Sequence, residues 1–113
     1  MGPLLKEALH LQVRENYSTD EFAYPLQNMP YSVYILLNKS RTRTYTGVAV
    51  DVEERLKRHN DGQVPASRHY RPYEIIYIEP YLTLKEARQR ERFYKSTTGR
   101  RKIREIISRL LTE

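Results

Sequence analysis

Residues 31–60 read YSVYILLNKSRTRTYTGVAVDVEERLKRHN, and this stretch decides the fold. Its opening run, Tyr31 to Leu37, is dominated by aromatic, β-branched and aliphatic residues, the composition of a strand. A polar break from Asn38 to Thr42 follows, and the stretch from Arg43 to Val50 resumes the pattern with TYTGVAV, so the two runs predict an antiparallel hairpin. Asp51 then stands as an N-cap with Glu54 three residues on, which predicts a helix to about Asn60 ending at Asp61 and Gly62. On that helix Val52 and Leu56, four apart, face the core. Arg55 and His59, also four apart, share a face beside them.

Beyond this stretch, QVPASRHYRP (63–72) reads as a loop with two prolines and three phosphate-seeking side chains, Arg68, His69 and Arg71. YEIIYIE from Tyr73 to Glu79 is a third strand. Thr83 and Glu86 form a second capping box, and the helix that follows places Leu84, Ala87, Glu91 and Tyr94 on one stripe. A carboxylate thus sits amid an inward face, where it is costly unless paired or bound to a metal. Gly99 is expected to break the chain, and Ile103, Ile106, Ile107, Leu110 and Leu111 mark a last amphipathic helix. The order strand, strand, helix, strand, helix, helix predicts an α+β domain, a small antiparallel or mixed three-stranded sheet flanked by helices. It spans residues 31–113. Residues 1–30 read as an extension with a short helix over Pro3 to Val13, carrying Leu4, Ala8 and Leu11 on one side.

A length of 113 residues argues for one domain with one core. The absence of cysteine excludes disulfide scaffolds, thiolate zinc sites and thiol nucleophiles, and favours an intracellular protein. No apolar run is long enough for a membrane span, and Lys6 and Glu7 interrupt the apolar pattern at the start, so a soluble protein without a secretory signal is expected. The net charge of +6 favours a polyanionic partner. Residues 81–113 hold most of it, with ten basic side chains against four acidic. Ten tyrosines beside two phenylalanines and no tryptophan direct attention to the phenols, which need hydrogen-bond partners or a chemical role.

The chain resembles the GIY-YIG nuclease domain through an ordered set of residues. Ser32-Val33-Tyr34 and Tyr45-Thr46-Gly47 stand for its two strand tripeptides, followed by Arg55 ten residues after Tyr45, His59 four beyond, Arg71-Pro72-Tyr73-Glu74 before the third strand, and Ala87, Glu91 and Lys95 on a late helix. The resemblance covers about residues 31–111 and is closest to small standalone members. It implies metal-dependent cleavage of a nucleic-acid phosphodiester. Carried over residue by residue, Tyr34 and Tyr45 are the motif tyrosines, Arg55 the phosphate-stabilising arginine, His59 the base or relay, and Glu91 the metal ligand. Ser32 replaces a glycine of the first motif, and Val48 stands where some members carry a lysine, leaving that role vacant or with a neighbour such as Arg68.

Read without the family, Tyr34 and Tyr45 are ordinary strand tyrosines, Arg55 is a solvated charge, and His59 is a favourable contact with a helix C-terminus. For Glu91 the alternative is an ion pair with Arg88 or Lys95. A single carboxylate suits Mg²⁺ or Mn²⁺, whereas His10, His59 and His69 are too scattered for zinc. Arg68, His69, Arg71, Lys95, Arg100, Arg101, Lys102 and Arg104 form a solvated basic surface or a track gripping a nucleic-acid backbone, DNA before RNA. Gly99 could open a helix facing a phosphate. Two rival functions remain: a binding module of this fold without cleavage, and a basic adaptor for an acidic protein.

Overall fold

The computed structural model describes residues 29–112. The helix expected over Pro3 to Val13 lies outside the described residues. The elements run β1 (Tyr31–Asn38), β2 (Thr44–Ala49), α1 (Val52–Asn60), a 3₁₀ turn (Arg68–Tyr70), β3 (Tyr73–Tyr81), α2 (Leu84–Lys95) and α3 (Thr97–Thr112). This is the expected α+β order. The sheet is wholly antiparallel, in the order β2-β1-β3.

Because β1 is the central strand, its alternate side chains enter two different cores. Val33, Ile35 and Leu37 meet Ala87 and Tyr94 of α2 and Ile103 and Ile106 of α3. Tyr34 and Leu36 meet Val52 of α1 with Tyr73 and Ile75 of β3. Burial on both faces explains the nearly continuous apolar run that the sequence shows. It also leaves α1 alone on one face, with α2 and α3 on the other.

Strand β3 carries a bulge. Ile35 pairs with Tyr77 and Leu36 with Ile75, so Ile76 is the extra residue. Tyr73 and Ile75 therefore face α1, whereas Ile76 and Tyr77 pack on the α2–α3 side. In an unbroken strand Tyr73 and Tyr77 would share a face.

The structure corrects four expectations. Strand β3 continues past Glu79 through Pro80 to Tyr81, which an edge strand tolerates because its outer N–H groups need no partner. The break between the last helices is at Ser96, whose N–H bonds the Phe93 carbonyl at 3.0 Å, and not at Gly99. Gly99 lies buried in the first turn of α3, where a Cβ would sit 1.9 Å from the Phe93 oxygen, so close backbone approach requires the glycine. Leu84 and Leu111 are exposed at 44% and 48%, outside the apolar stripes assigned to them.

The fourth correction concerns the buried carboxylate. It is Glu79, only 4% exposed, and not Glu91. Tyr77 and Tyr94 donate to Glu79 Oε2, both at 2.7 Å, while Tyr81 and Arg90 Nε donate to Oε1 at 2.5 and 2.7 Å. Burial by itself would raise the Glu79 pKa, but the hydrogen bonds from Tyr81, Tyr94, Tyr77 and Arg90 outweigh it and hold it below the usual carboxylate range. Three of the ten tyrosines that composition left unexplained thus find one acceptor, together with Arg90. Glu79→Gln puts an amide NH₂ against hydroxyl donors and strands the Arg90 charge, so denaturant unfolding should show a loss of about 3–5 kcal/mol. A loss below about 1 kcal/mol would show the network to be dispensable. Because the folded pKa is depressed, this stabilisation is complete above the unfolded glutamate value of ~4.3 and is lost as pH falls through the lower folded value.

Candidate active site

The candidate site lies on the α1 face of the sheet. Asp51 caps the helix as expected, accepting from the Glu54 N–H at 3.0 Å, and this phase carries Val52 inward and His59 to complete burial. His59 Nε2 lies 2.9 Å from the Tyr34 hydroxyl, and Nδ1 lies 2.6 Å from Ser67 Oγ. The Tyr45 ring tilts against the same imidazole at 4.4 Å between centroids and stacks on Tyr34 at 6.2 Å. Tyr73 closes the far side at 6.1 Å from the imidazole. Both motif tyrosines and His59 therefore share one aromatic cluster, in which Tyr34 and His59 are buried and Tyr45 is partly exposed.

Gly47 has a geometric reason. It pairs directly with Tyr34 across the hairpin, and a Cβ there would stand 2.6 Å from the Tyr34 hydroxyl. Val48, the next residue, packs on the opposite face of the sheet, against the core under α2 and α3. A side chain at position 48 does not point into the cleft.

Burial dominates the electrostatics. It pushes the Tyr34 pKa up to about 12, against the neighbouring Arg55 guanidinium, which favours the phenolate. Burial, then the same arginine, lowers His59 to about 4. The imidazole is consequently neutral at pH 7, with one nitrogen accepting a hydrogen bond. Arg55 Nε is buried and has no hydrogen-bond partner among the described residues. A buried, unpaired guanidinium nitrogen is costly on its own and disposes the site to receive an anion.

Glu91 sits at the edge of the core and not within it. Its side chain is 13% exposed, accepting from Arg88 Nη1 at 3.0 Å and Lys95 Nζ at 3.1 Å. Burial would raise its pKa, but Arg88 and Lys95 prevail and hold it below its ordinary value, so the group is ionised. Its negative charge also reaches Tyr34, whose pKa it helps to raise. No three His, Cys, Asp or Glu side chains gather to hold a metal among the described residues. A Mg²⁺ that keeps most of its waters needs only one or two protein carboxylates. Glu91 fits that need: it is ionised, and the Arg88 and Lys95 side chains covering it are 53% and 55% exposed and can swing aside.

Of the basic residues, Arg68, His69 and Arg71 line an open pocket of about 600 Å³ with Asp61 and Gly62, directly after α1. Lys95 stands beside Glu91. Arg100, Arg101 and Lys102 are exposed on α3, which packs on the other face of the sheet. The sequence reading gave no role to Ser67, Tyr73 or Asn60: Ser67 bonds the His59 ring, Tyr73 packs on it, and Asn60 clamps the Tyr73 backbone. Their signal is tertiary: nothing in QVPASRHYRP distinguishes Ser67 from any loop serine.

A three-stranded antiparallel sheet thus brings two tyrosines together with a histidine of its first helix, which also carries Arg55. The chain belongs to the GIY-YIG family: the GIY-YIG catalytic domain matches residues 30–104. That membership implies nuclease-type activity and interaction with nucleic acid. The chain is also similar to UPF0213 proteins of Staphylococcus aureus strains Mu3, Mu50 and N315, each 41% identical over 66 residues, which is 58% of this chain and 80% of theirs. No solved structure matches it. No helix among the described residues is long and apolar enough to cross a membrane.

Proposed function

We propose that this protein is a metal-dependent endonuclease that hydrolyses phosphodiester bonds in DNA. The observation that carries the reading is the unpaired, buried Arg55 Nε beside the Tyr34–His59 hydrogen bond. A phosphodiester entering the cleft would meet a guanidinium with donors to spare, and that charge stabilises the pentacoordinate transition state.

Tyr34 acts as the base. Its raised pKa rules out a resting phenolate at pH 7, but its hydroxyl already touches a neutral imidazole. As the attacking water gives a proton to the Tyr34 oxygen, the tyrosine passes its own to His59 Nε2, so no free phenolate accumulates. The resulting hydroxide forms the new P–O bond in line with the ester oxygen that departs, which takes a proton from solvent. Tyr45 packs on the imidazole and fixes its tilt. Glu91 would hold the divalent cation, Mg²⁺ or Mn²⁺, which supplies positive charge to the phosphate oxygens when bound. Arg68, His69 and Arg71 grip the backbone close to the end of α1, while Lys95 beside Glu91 and the exposed Arg100, Arg101 and Lys102 of α3 offer a second basic surface on the other face of the sheet. DNA is the preferred partner, and an intracellular setting accords with a chain that contains no cysteine.

The deciding experiment is cleavage of plasmid, branched and single-stranded DNA with Mg²⁺, with Mn²⁺ and with chelator. Nicking that chelator stops supports the reading. Salt-dependent binding without nicking would make the protein a non-catalytic module, and no binding would leave the adaptor reading. The track is tested separately. At about 0.9 counterions released per phosphate contact, alanine at Arg100, Arg101 and Lys102 together should reduce the log–log salt slope of binding by roughly 2 to 3 units. An unchanged slope would remove α3 from the interface.

A further inference from the structure

We infer that Ser67 is a positioning residue for the cleavage step: its hydroxyl fixes His59 in the Nδ1–H tautomer, so that Nε2 is free to accept the Tyr34 proton. The inference rests on the proposed nuclease reading for its kinetic consequence, but its structural content stands on geometry alone. Ser67 is 1% exposed, and its Oγ lies 2.6 Å from Nδ1. That oxygen also has an acceptor for its own proton, the Val64 carbonyl at 3.4 Å. With the hydroxyl proton directed to Val64, the Oγ lone pairs face the ring, and Nδ1 is then the nitrogen that donates. Nε2 then carries the lone pair, 2.9 Å from the Tyr34 hydroxyl. The opposite tautomer would point an N–H at the Tyr34 oxygen and leave the imidazole unable to take its proton.

The loop is built to hold this hydroxyl still. The Ser67 N–H bonds the Val64 carbonyl at 3.1 Å, and the Ser67 carbonyl accepts from the Tyr73 hydroxyl at 2.9 Å. Tyr73 is in turn clamped at both backbone groups by Asn60, the neighbour of His59, with its N–H donating to Oδ1 at 2.7 Å and its carbonyl accepting from Nδ2 at 3.0 Å. The end of α1, the loop and the start of β3 are thereby locked into one unit around the ring. An arrangement that orients an imidazole through its second nitrogen is the usual means of selecting a tautomer.

The test pairs Ser67→Ala with Ser67→Thr in the full chain. In nitrogen-15 spectra of histidine-labelled protein, His59 should show a protonated Nδ1 and a bare Nε2 in the parent and in Ser67→Thr. In Ser67→Ala it should shift toward the Nε2–H form. Plasmid nicking by Ser67→Ala should fall about 10- to 100-fold in kcat with KM nearly unchanged, and Ser67→Thr should recover most of the rate. A parent His59 bearing its proton on Nε2 would overturn the inference, whatever the nicking assay gives. So would an Nδ1–H signal in Ser67→Ala as strong as in the parent, or a folded Ser67→Ala that nicks at the parental rate. Should Ser67→Ala fail to fold, the parent and Ser67→Thr spectra still decide the tautomer. A protein with the expected tautomer that cuts no substrate would refute the nuclease reading and leave the histidine assignment standing.

Discussion

Glu91→Gln should abolish metal-dependent nicking while leaving the protein folded and able to bind DNA. Glutamine keeps the size of the side chain and removes the charge that holds a hard cation. A bound divalent ion contributes several kcal/mol of charge stabilisation in the transition state, and at about 4 kcal/mol its loss amounts to ~1000-fold in rate. Stability should hardly change. The Arg88 and Lys95 partners of Glu91 are more than half exposed, and ion pairs of that kind contribute only about 0–1 kcal/mol. Removing a carboxylate whose charge reaches Tyr34 also relieves repulsion of a phosphate bound there, so DNA affinity should hold or rise. Initial nicking rate, melting temperature and DNA affinity measured on one preparation distinguish the possible roles. A purely structural Glu91 would lower the melting temperature and leave turnover of the folded fraction untouched. A stable variant with parental turnover would dismiss Glu91 from both roles.

The sequence made the hairpin, both capped helices and the residues of the aromatic cluster legible because each rests on local signals. Tyr34 and Tyr45 lie on strands whose pairing follows from their composition, and Arg55 and His59 follow from helical spacing after a recognisable cap at Asp51. The carboxylates were misplaced for a physical reason. Helical periodicity put Glu91 on the inward stripe, but a stripe has an edge, and two flexible cations reach Glu91 there. The carboxylate that is truly buried, Glu79, lies on a strand where the bulge at Ile76 resets the alternation, and its four donors come from β3 and α2. No sequence period records such a convergence. Ser67 was invisible for the same reason: its importance comes from the ring it touches, eight residues back in the chain.

The motif tyrosines were equivalent in the sequence, and the structure makes them unequal. Tyr34 is 1% exposed and bonded through its hydroxyl to His59, whereas Tyr45 is partly buried and meets the imidazole with its ring. Tyr34→Phe should therefore lower the nicking rate by a factor on the order of 100 to 10,000, the range for a positioned general base. Tyr45→Phe keeps the ring that packs on His59 and should lose less. The Tyr34 variant also leaves Nε2 buried without a partner, so a stability loss of about 1–3 kcal/mol should accompany it. Loss of fold is separated from loss of chemistry by working well below the melting temperature and by following DNA binding, which Arg55 and the loop cations should still support. If Tyr34→Phe cuts at the parental rate while Tyr45→Phe does not, the proton leaves through Tyr45, and the buried Tyr34–His59 bond only supports the cleft. If neither variant slows, the base lies outside the aromatic cleft, and Arg55 is left holding a phosphate that some other group attacks.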